Sequence, residues 1–494
     1  MLVVALLQYS QIGFIFSLRF SSEQHVKWLA RIALTSGDRD RPIRTCRPGR
    51  AIMSPSINLP SGSSAHPLLQ LLRYSFTPLA YLEDCARAGE TFTFHLAGFG
   101  RLVMLTRPED IREVFRGDPA VLHAGEGNAL LSSLVGETSV LVLDDAPHVR
   151  QRRVLLPPLK GERMRTFFTA MQSEARMMAA EWAHGQVVRA DTALQGVTLR
   201  VILRAVLGIA TGPAFEELQS KMARLLRQVR HPLVLVLWNL FPPQRFKDSN
   251  LLPFYRLRRQ LDTVLYRVIA TQRALAIALR PPSLLGDLLA ASHEDGSDMS
   301  DIEIRDALVT ILAAGHDTTA LSLAWALERI LSRADVVARI EAELAAVCGD
   351  DLPRPEHLAG LEYLDAVIRE SLRVRNILPF VVRVLKQELS VGGVTYPAGV
   401  VLCPAIHLLH QRADLYPAPR EFRPERFLER KFAPHEWTPF GGGNRACLGQ
   451  AFALYEMKVV LATLFTELRM RRPPVQYRSR CGVGSRLGPA MGRA

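Results

Sequence analysis

PFGGGNRACLGQ, residues 439–450, is the most informative run in this chain. Four of its twelve residues are glycine, one is Cys447, and an apolar-rich helical pattern, AFALYEMKVVLATLFTEL, follows at once. Glycine lets a backbone approach a neighbour closely and take positive φ. A helix N-terminus offers unpaired N–H groups that lower a thiol's pKa and donate hydrogen bonds to sulfur. Gly441, Gly442, Gly443 and Gly449 therefore predict a nest for a Cys447 thiolate at a helix start. A buried free cysteine beside an ordinary loop is the alternative, and for a cysteine taken alone it is the commoner case.

Around this run lie 494 residues, 48% hydrophobic and 22% charged, the profile of a globular protein with a large core. The net charge of +13 favours acidic partners, but much of it is local. Residues 1–52 carry Arg19, Lys27, Arg31, Arg39, Arg41, Arg44, Arg47 and Arg50 against Glu23, Asp38 and Asp40. The remainder is moderately basic, and no Lys/Arg run suggests an arm for nucleic acid. Six scattered cysteines without a CxxC argue for a reducing, cytoplasmic setting and against a disulfide framework or a zinc site. A metal, if used, must arrive inside a cofactor.

The first eighteen residues are apolar but interrupted by Gln8, Ser10 and Gln11, and no positive charge precedes them as in a secretory signal. A weak membrane anchor, a disordered tail and a start upstream of the natural one compete, with Met53 a plausible beginning. The balance favours tail or mis-set start, so residues 1–52 are expected to be an extension and residues 53–494 the domain.

From about residue 65 helical patterns dominate, over 162–183, 196–208, 214–230, 254–279, 301–333, 335–347 and 361–374. TFTFHLAGFGRLVMLT (91–106) reads as a β-hairpin, and ELSVGGVTYPAGVVL (388–402) as a second β patch. No repeat appears and no polar linker divides the chain after residue 65. These patterns predict one large, mainly α domain with small β-sheets.

Three further groups carry chemistry. Ser300-Asp-Ile-Glu303 is a capping box that starts a helix apolar on nearly every side, hence one running through the core. Into it the sequence places Ala314-Gly-His-Asp317-Thr318-Thr319; buried acids and hydroxyls cost stability unless satisfied or useful. A structural reading has Thr318 bonding back to the carbonyl four residues earlier and Asp317 in an ion pair. Glu370 and Arg373 share a helix face, a spacing that usually gives a solvated bridge. His148 and Arg152 in HVRQRR are also one turn apart, commonly a solvated basic face.

Phe440, Gly443, Arg445, Cys447 and Gly449 match FxxGxRxCxG, five defined positions within ten residues, and here the chain resembles the cytochrome P-450 haem-thiolate family. AGHDTT resembles that family's oxygen-binding pattern, and RESLR with PERF (424–427) its ExxR and PERF strings; the likeness spans about residues 65–480. The resemblance implies a triangular helical prism with haem b between a long central helix and the cysteine loop. It makes Cys447 the axial ligand of the haem iron, with Phe440 near the sulfur. Arg445, His148, Arg152 and Arg383 become partners of the haem propionates. Gly315 would open a groove for dioxygen, Asp317 and Thr318 would relay protons, and His316 would be structural. Glu370, Arg373 and Arg426 become a buried network that supports the cysteine loop. Asn376 departs from the family pattern, standing where many relatives have proline after ExxR, which bears on the local substrate-side loop.

The activity implied is insertion of one atom of O2 into an apolar substrate of the fatty acid, terpenoid or polyketide class. Leu312, Ala313, Ala314, Ile377, Leu378, Phe380 and the loop 124–137 would line its pocket. The short stretch after Cys447 predicts no electron-transfer domain, so electrons are expected from NAD(P)H through a ferredoxin or flavodoxin and its reductase. Arg150, Arg153 and Lys160 would offer a docking face or an ordinary solvated surface. A monomer without nucleic acid is expected, with weak membrane association through residues 1–18 as an option. The rivals are a haem-thiolate enzyme that uses peroxide or rearranges an oxygenated substrate, and a haem sensor or carrier. The Asp317-Thr318 pair argues against both.

Overall fold

In TFTFHL alternate side chains are large and apolar, and Phe92, Phe94 and Leu96 are buried on one face of a strand. A computed structural model describes residues 59–182, 188–209, 211–229, 232–246, 252–293, 296–471, 486–487 and 491–492. The expected extension, residues 1–52, lies outside them. In chain order the principal elements begin with α1 Pro67–Phe76, α2 Pro78–Cys85, β1 Thr91–Leu96, β2 Gly100–Leu105, α3 Pro108–Arg116 and β3 Leu122–His123. Helices α4 Asp145–Leu155, α5 Phe168–Trp182, α6 Ala190–Leu207, α7 Pro213–Val229, α8 Pro232–Leu240, α9 Pro253–Arg273 and α10 Leu284–Ala290 follow. The chain continues through α11 Asp301–Ile330, α12 Ala334–Cys348 and α13 Glu362–Val374. Strands β4 Arg383–Leu385, β5 Leu389–Val391, β6 Val394–Tyr396 and β7 Val401–Pro404 precede α14 Ile406–His410 and α15 Gln450–Glu467.

The hairpin is present, with Thr91 opposite Leu105 and Leu96 opposite Gly100. The two β patches do not stay separate, as the sequence reading had them. Strand β2 pairs in parallel with β7, which pairs with β4, giving one five-stranded sheet in the order β1-β2-β7-β4-β3. This pairing joins chain segments about three hundred residues apart, beyond the reach of local patterns.

Helix α11 is the axis of the helical part. Ser300 Oγ accepts from Glu303 N at 3.3 Å and Glu303 Oε2 accepts from Ser300 N at 2.9 Å, so the capping box forms. Almost every residue of α11 is buried, and α6, α9, α10, α12, α13 and α15 pack around it. Among the described residues it is the one helix long and apolar enough to cross a membrane, and it lies mostly inside the fold.

Helix boundaries differ where side chains end helices. The expected helix over 254–279 stops at Arg273, because Arg280 turns back and donates to the carbonyls of Leu275 and Arg273, a C-terminal cap. Residues 161–167 form 3-10 turns rather than the first turns of α5, and α6 begins at Ala190 instead of 196.

Candidate active site

The cysteine run is a tethered loop. Thr438 N donates to His410 Nε2 at 3.0 Å, Gly441 N to the Thr438 carbonyl, and Cys447 N to the Phe440 carbonyl at 2.9 Å. Gly441 and Gly443 take φ of +67°, and a Cβ on Gly443 would lie 2.0 Å from the Phe115 carbonyl oxygen. Glycine at 443 is thus required both by conformation and by the approach of α3. Helix α15 starts at Gln450, and the N–H groups of Gly449 and Gln450 donate toward the Cys447 sulfur. Burial raises the thiol above its ordinary pKa, while these two donors and Arg152 oppose that rise. Cys447 nevertheless has exposed surface. Phe440 is half-buried, edge-on to Trp437 at 6.1 Å.

Beside the loop lies a cluster of cations. Arg383 is 4% exposed and donates only to the carbonyls of Val382 and Gly442; burial, then the charge of Arg445, pulls its guanidinium down to about 10. Burial lowers Arg152 and Arg445 as well. His148, buried on α4 one turn before Arg152, is pulled down to about 4 by burial, then by Arg445 and Arg152. Asp144 pairs with Arg445, which also donates to the Val140 carbonyl, yet the buried Arg445 Nε has no hydrogen-bond partner. Burial lowers all four basic groups, and the neighbouring cations add to it at His148, Arg383 and Arg445, so further negative charge would be favourable here.

Glu370, Arg373 and Arg426 come together as a buried network, not a surface bridge. Arg373 Nε and Nη2 hold Glu370 at 2.7 and 2.8 Å, and Arg426 Nε reaches Glu370 Oε1 at 3.1 Å. Arg373 also donates to the carbonyls of His410, Pro419 and Glu421 and Arg426 Nη1 to that of Pro417, while the buried Arg426 Nη2 has no hydrogen-bond partner among the described residues. His410, fully buried, links this network to the loop. Its Nε2 accepts from Thr438, and burial, then Arg373, holds the ring well below the usual imidazole range, hence neutral.

On α11, Ala314, Gly315 and Thr318 are half-buried, in a stretch whose neighbours 304–313 and 319–324 are buried. Thr318 Oγ1 donates to the Ala314 carbonyl at 2.6 Å. Asp317 is buried with Oδ1 3.1 Å from His316 Nε2, and His316 Nδ1 lies 3.1 Å from Thr198 Oγ1 on α6. Both bonds anticipated by the structural reading of this pair are therefore made. A Cβ on Gly315 would meet Ile202 Cδ1 at 3.1 Å, so this glycine also serves the close packing of α6 on α11.

The structure differs from expectation at three lining residues. Leu312 and Ala313 are 0% exposed in the core, and Phe380 packs against Tyr74 and Phe94 with centroids 5.9 and 6.4 Å apart. Ile377 contacts Leu321, one turn beyond Thr318, and Leu378 packs beside them half-buried. Sequence reasoning missed Asp144, His410, Phe115 and the buried Glu456, none of which carries a local pattern.

The cytochrome P-450 family model matches residues 60–480, most of the chain. The chain belongs to the cytochrome P-450 family. Among its relatives, the protein named "Putative cytochrome P-450 135B1" of Mycobacterium tuberculosis is 39% identical over 420 residues, 84% of this chain and 86% of that one. "Putative cytochrome P-450 138" of the same species is 33% identical over 445 residues, 89% and 96% of the two chains. The solved structure of retinoic acid bound cyanobacterial CYP120A1 aligns with a TM-score of 0.74 at 22% identity, covering 89% of this chain and all of that one, so this is the P-450 fold. A haem-thiolate oxidoreductase is what the family implies, and the residues fit its cofactor. An exposed cysteine stands at a helix start with two N–H donors toward its sulfur, and basic side chains suited to carboxylates lie close by.

Proposed function

We propose that this P-450 is a monooxygenase that inserts one atom of O2 into an apolar fatty acid, terpenoid or polyketide-like substrate. The observation that carries the reading is the Cys447 sulfur held at the start of α15 by the Gly449 and Gln450 N–H groups, close to Arg152, Arg445, Arg383 and His148. Cys447 Sγ would ligate the iron of haem b, with Phe440 beside the sulfur, and the basic groups would take the two carboxylates. When bound, the haem supplies the oxygen-activating chemistry, favoured by the thiolate's electron donation. The Gly449 and Gln450 N–H groups stabilise negative charge on sulfur.

On α11, the Thr318 hydroxyl donates a hydrogen bond to the Ala314 carbonyl, which leaves its oxygen free to accept one from a bound group. Thr318 and Asp317, whose Oδ1 lies 3.1 Å from His316 Nε2, would form the proton relay on this side. Ala314 and Leu378 give a half-buried apolar lining that excludes water, with Ile377 buried against Leu321; the retinoic acid in the similar cyanobacterial structure is a long apolar molecule of the kind such a lining suits. Electrons come from NAD(P)H through a ferredoxin or flavodoxin and its reductase, which dock on the exposed Arg150, Arg153 and Lys160. The domain is residues 53–494, acting as a cytoplasmic monomer.

The test is NADPH consumption and product formation with a surrogate ferredoxin and reductase, using dodecanoate and retinoic acid as probes. Substrate-dependent consumption with a product one oxygen heavier supports the reading, and Thr318→Ala should consume NADPH while losing most product. Product formed with hydrogen peroxide but never with the electron carriers would replace it by the peroxide-using reading.

A further inference from the structure

Asn376, where the family pattern has proline, is 2% exposed, and its Nδ2 donates to the Leu378 carbonyl at 2.8 Å. The side chain thus closes the turn by hydrogen bonding, where a proline ring would stiffen it covalently. That bond fixes the amide orientation, leaving Oδ1 to face His407 Nδ1 at 3.3 Å. On the far side of the ring, His407 Nε2 lies 3.0 Å from Glu83 Oε1 on α2. The hydrogen bond from His407, ahead of burial, which opposes it, keeps the Glu83 carboxyl below the usual carboxylate range, with Arg420 and Arg375 adding to the effect. Glu83 is therefore an acceptor only. Both ring nitrogens of His407 face acceptors, an arrangement satisfied when the ring donates from both. The other charged or titratable groups nearby are Arg420, 3.2 Å from Glu83 Oε2, Arg375 and His410.

The same histidine holds the loop a second time, its backbone N–H donating to the Pro379 carbonyl at 2.9 Å. Residue 407 thus clamps both ends of the segment that presents Ile377 to Leu321 of α11. We propose that Asn376, His407 and Glu83 form a positioning chain that sets the loop Ile377–Phe380 against α11, and so fixes the shape of the apolar substrate pocket beside Thr318. The inference rests on the monooxygenase reading for what fills that pocket. A proline at 376 cannot accept from His407, so asparagine and histidine act here as one unit. Selectivity for bulky ligands should then depend on a carboxylate at Glu83, on a different helix from the loop.

The test uses the haem-loaded full chain as wild type, Asn376→Pro and Glu83→Gln, the last changing a partly exposed group that folding tolerates. Spectral titration with imidazole, too small to touch the loop, and with 4-phenylimidazole gives a ratio of dissociation constants that reads the pocket independently of the haem. Both variants should shift that ratio by about tenfold with imidazole affinity unchanged. Ratios within about twofold of wild type in both variants overturn the proposal. A shift in Asn376→Pro alone also rejects the chain, since residue 376 would then set the loop unaided. The reduced carbon monoxide spectrum separates the two failures. Loss of the thiolate band in the wild type sinks the monooxygenase reading, whereas a normal band with unchanged ratios sinks only the positioning chain.

Discussion

Replacing Glu456 by glutamine should stabilise this P-450 in neutral and alkaline solution and leave it nearly unchanged in acid. Glu456 lies in the second turn of α15, 1% exposed, with Oε1 lacking any hydrogen-bond partner. Burial pushes its carboxyl up from 4.5 to about 8. A raised folded-state pKa has a definite sign. Below the unfolded value both states hold the proton and nothing is lost; as pH rises toward the folded value the unfolded chain ionises alone, and stability falls until it levels off. At about 1.4 kcal/mol per unit, the wild type loses about 3 kcal/mol by about pH 7 and about 4 by about pH 8. Glutamine has nearly the same shape and no charge to lose. Urea unfolding followed by far-UV circular dichroism at about pH 3.5 and about pH 8 should give matching midpoints at the lower pH and a higher midpoint for the variant at the upper. An equal difference at both pH values would refute the reasoning, because the effect would then be packing and not ionisation.

Three other outcomes follow from the geometry. Arg373→Ala leaves Glu370 buried without its bidentate partner and should cost about 3–5 kcal/mol, read as a lower unfolding midpoint together with loss of haem from the purified protein. Arg445→Gln removes a charge from the cation cluster and should speed haem transfer to apomyoglobin by about tenfold or more, as expected for losing a charge-assisted hydrogen bond of about 1.5–3 kcal/mol; an unchanged rate would remove Arg445 from the cofactor's partners. Charge reversal at Arg150, Arg153 and Lys160 should slow reduction by an acidic ferredoxin, with the difference from wild type shrinking as salt rises, and equal rates would assign these residues to an ordinary solvated face.

The cysteine loop and the long central helix were legible because each is a short pattern with a local physical meaning, glycines at close approach and a capping box, whereas the Glu370, Arg373 and Arg426 network was read only through the family resemblance, the spacing alone pointing to a solvated bridge. What escaped the sequence depends on distance. The parallel pairing of β2 with β7 joins segments near the two ends of the fold, and no periodicity announces it. Asp144, the partner of Arg445, and His410, the link between Arg373 and Thr438, acquire their roles only when distant segments meet. The lining residues show the same limit: an apolar side chain such as Leu312 or Phe380 suits a pocket and a core equally, and packing alone placed both in the core. At Thr318 and Asp317 the structural bonds and the proposed chemistry coexist, so their hydrogen bonds do not by themselves separate the two readings.

The central claim is that Cys447 is the thiolate ligand of haem iron. The carbon monoxide difference spectrum of the reduced protein, wild type beside Cys447→Ser, tests it directly. The account predicts a strongly red-shifted Soret band in the wild type that disappears in the variant. A band typical of histidine or neutral-thiol ligation in well-folded, haem-loaded wild type would contradict it.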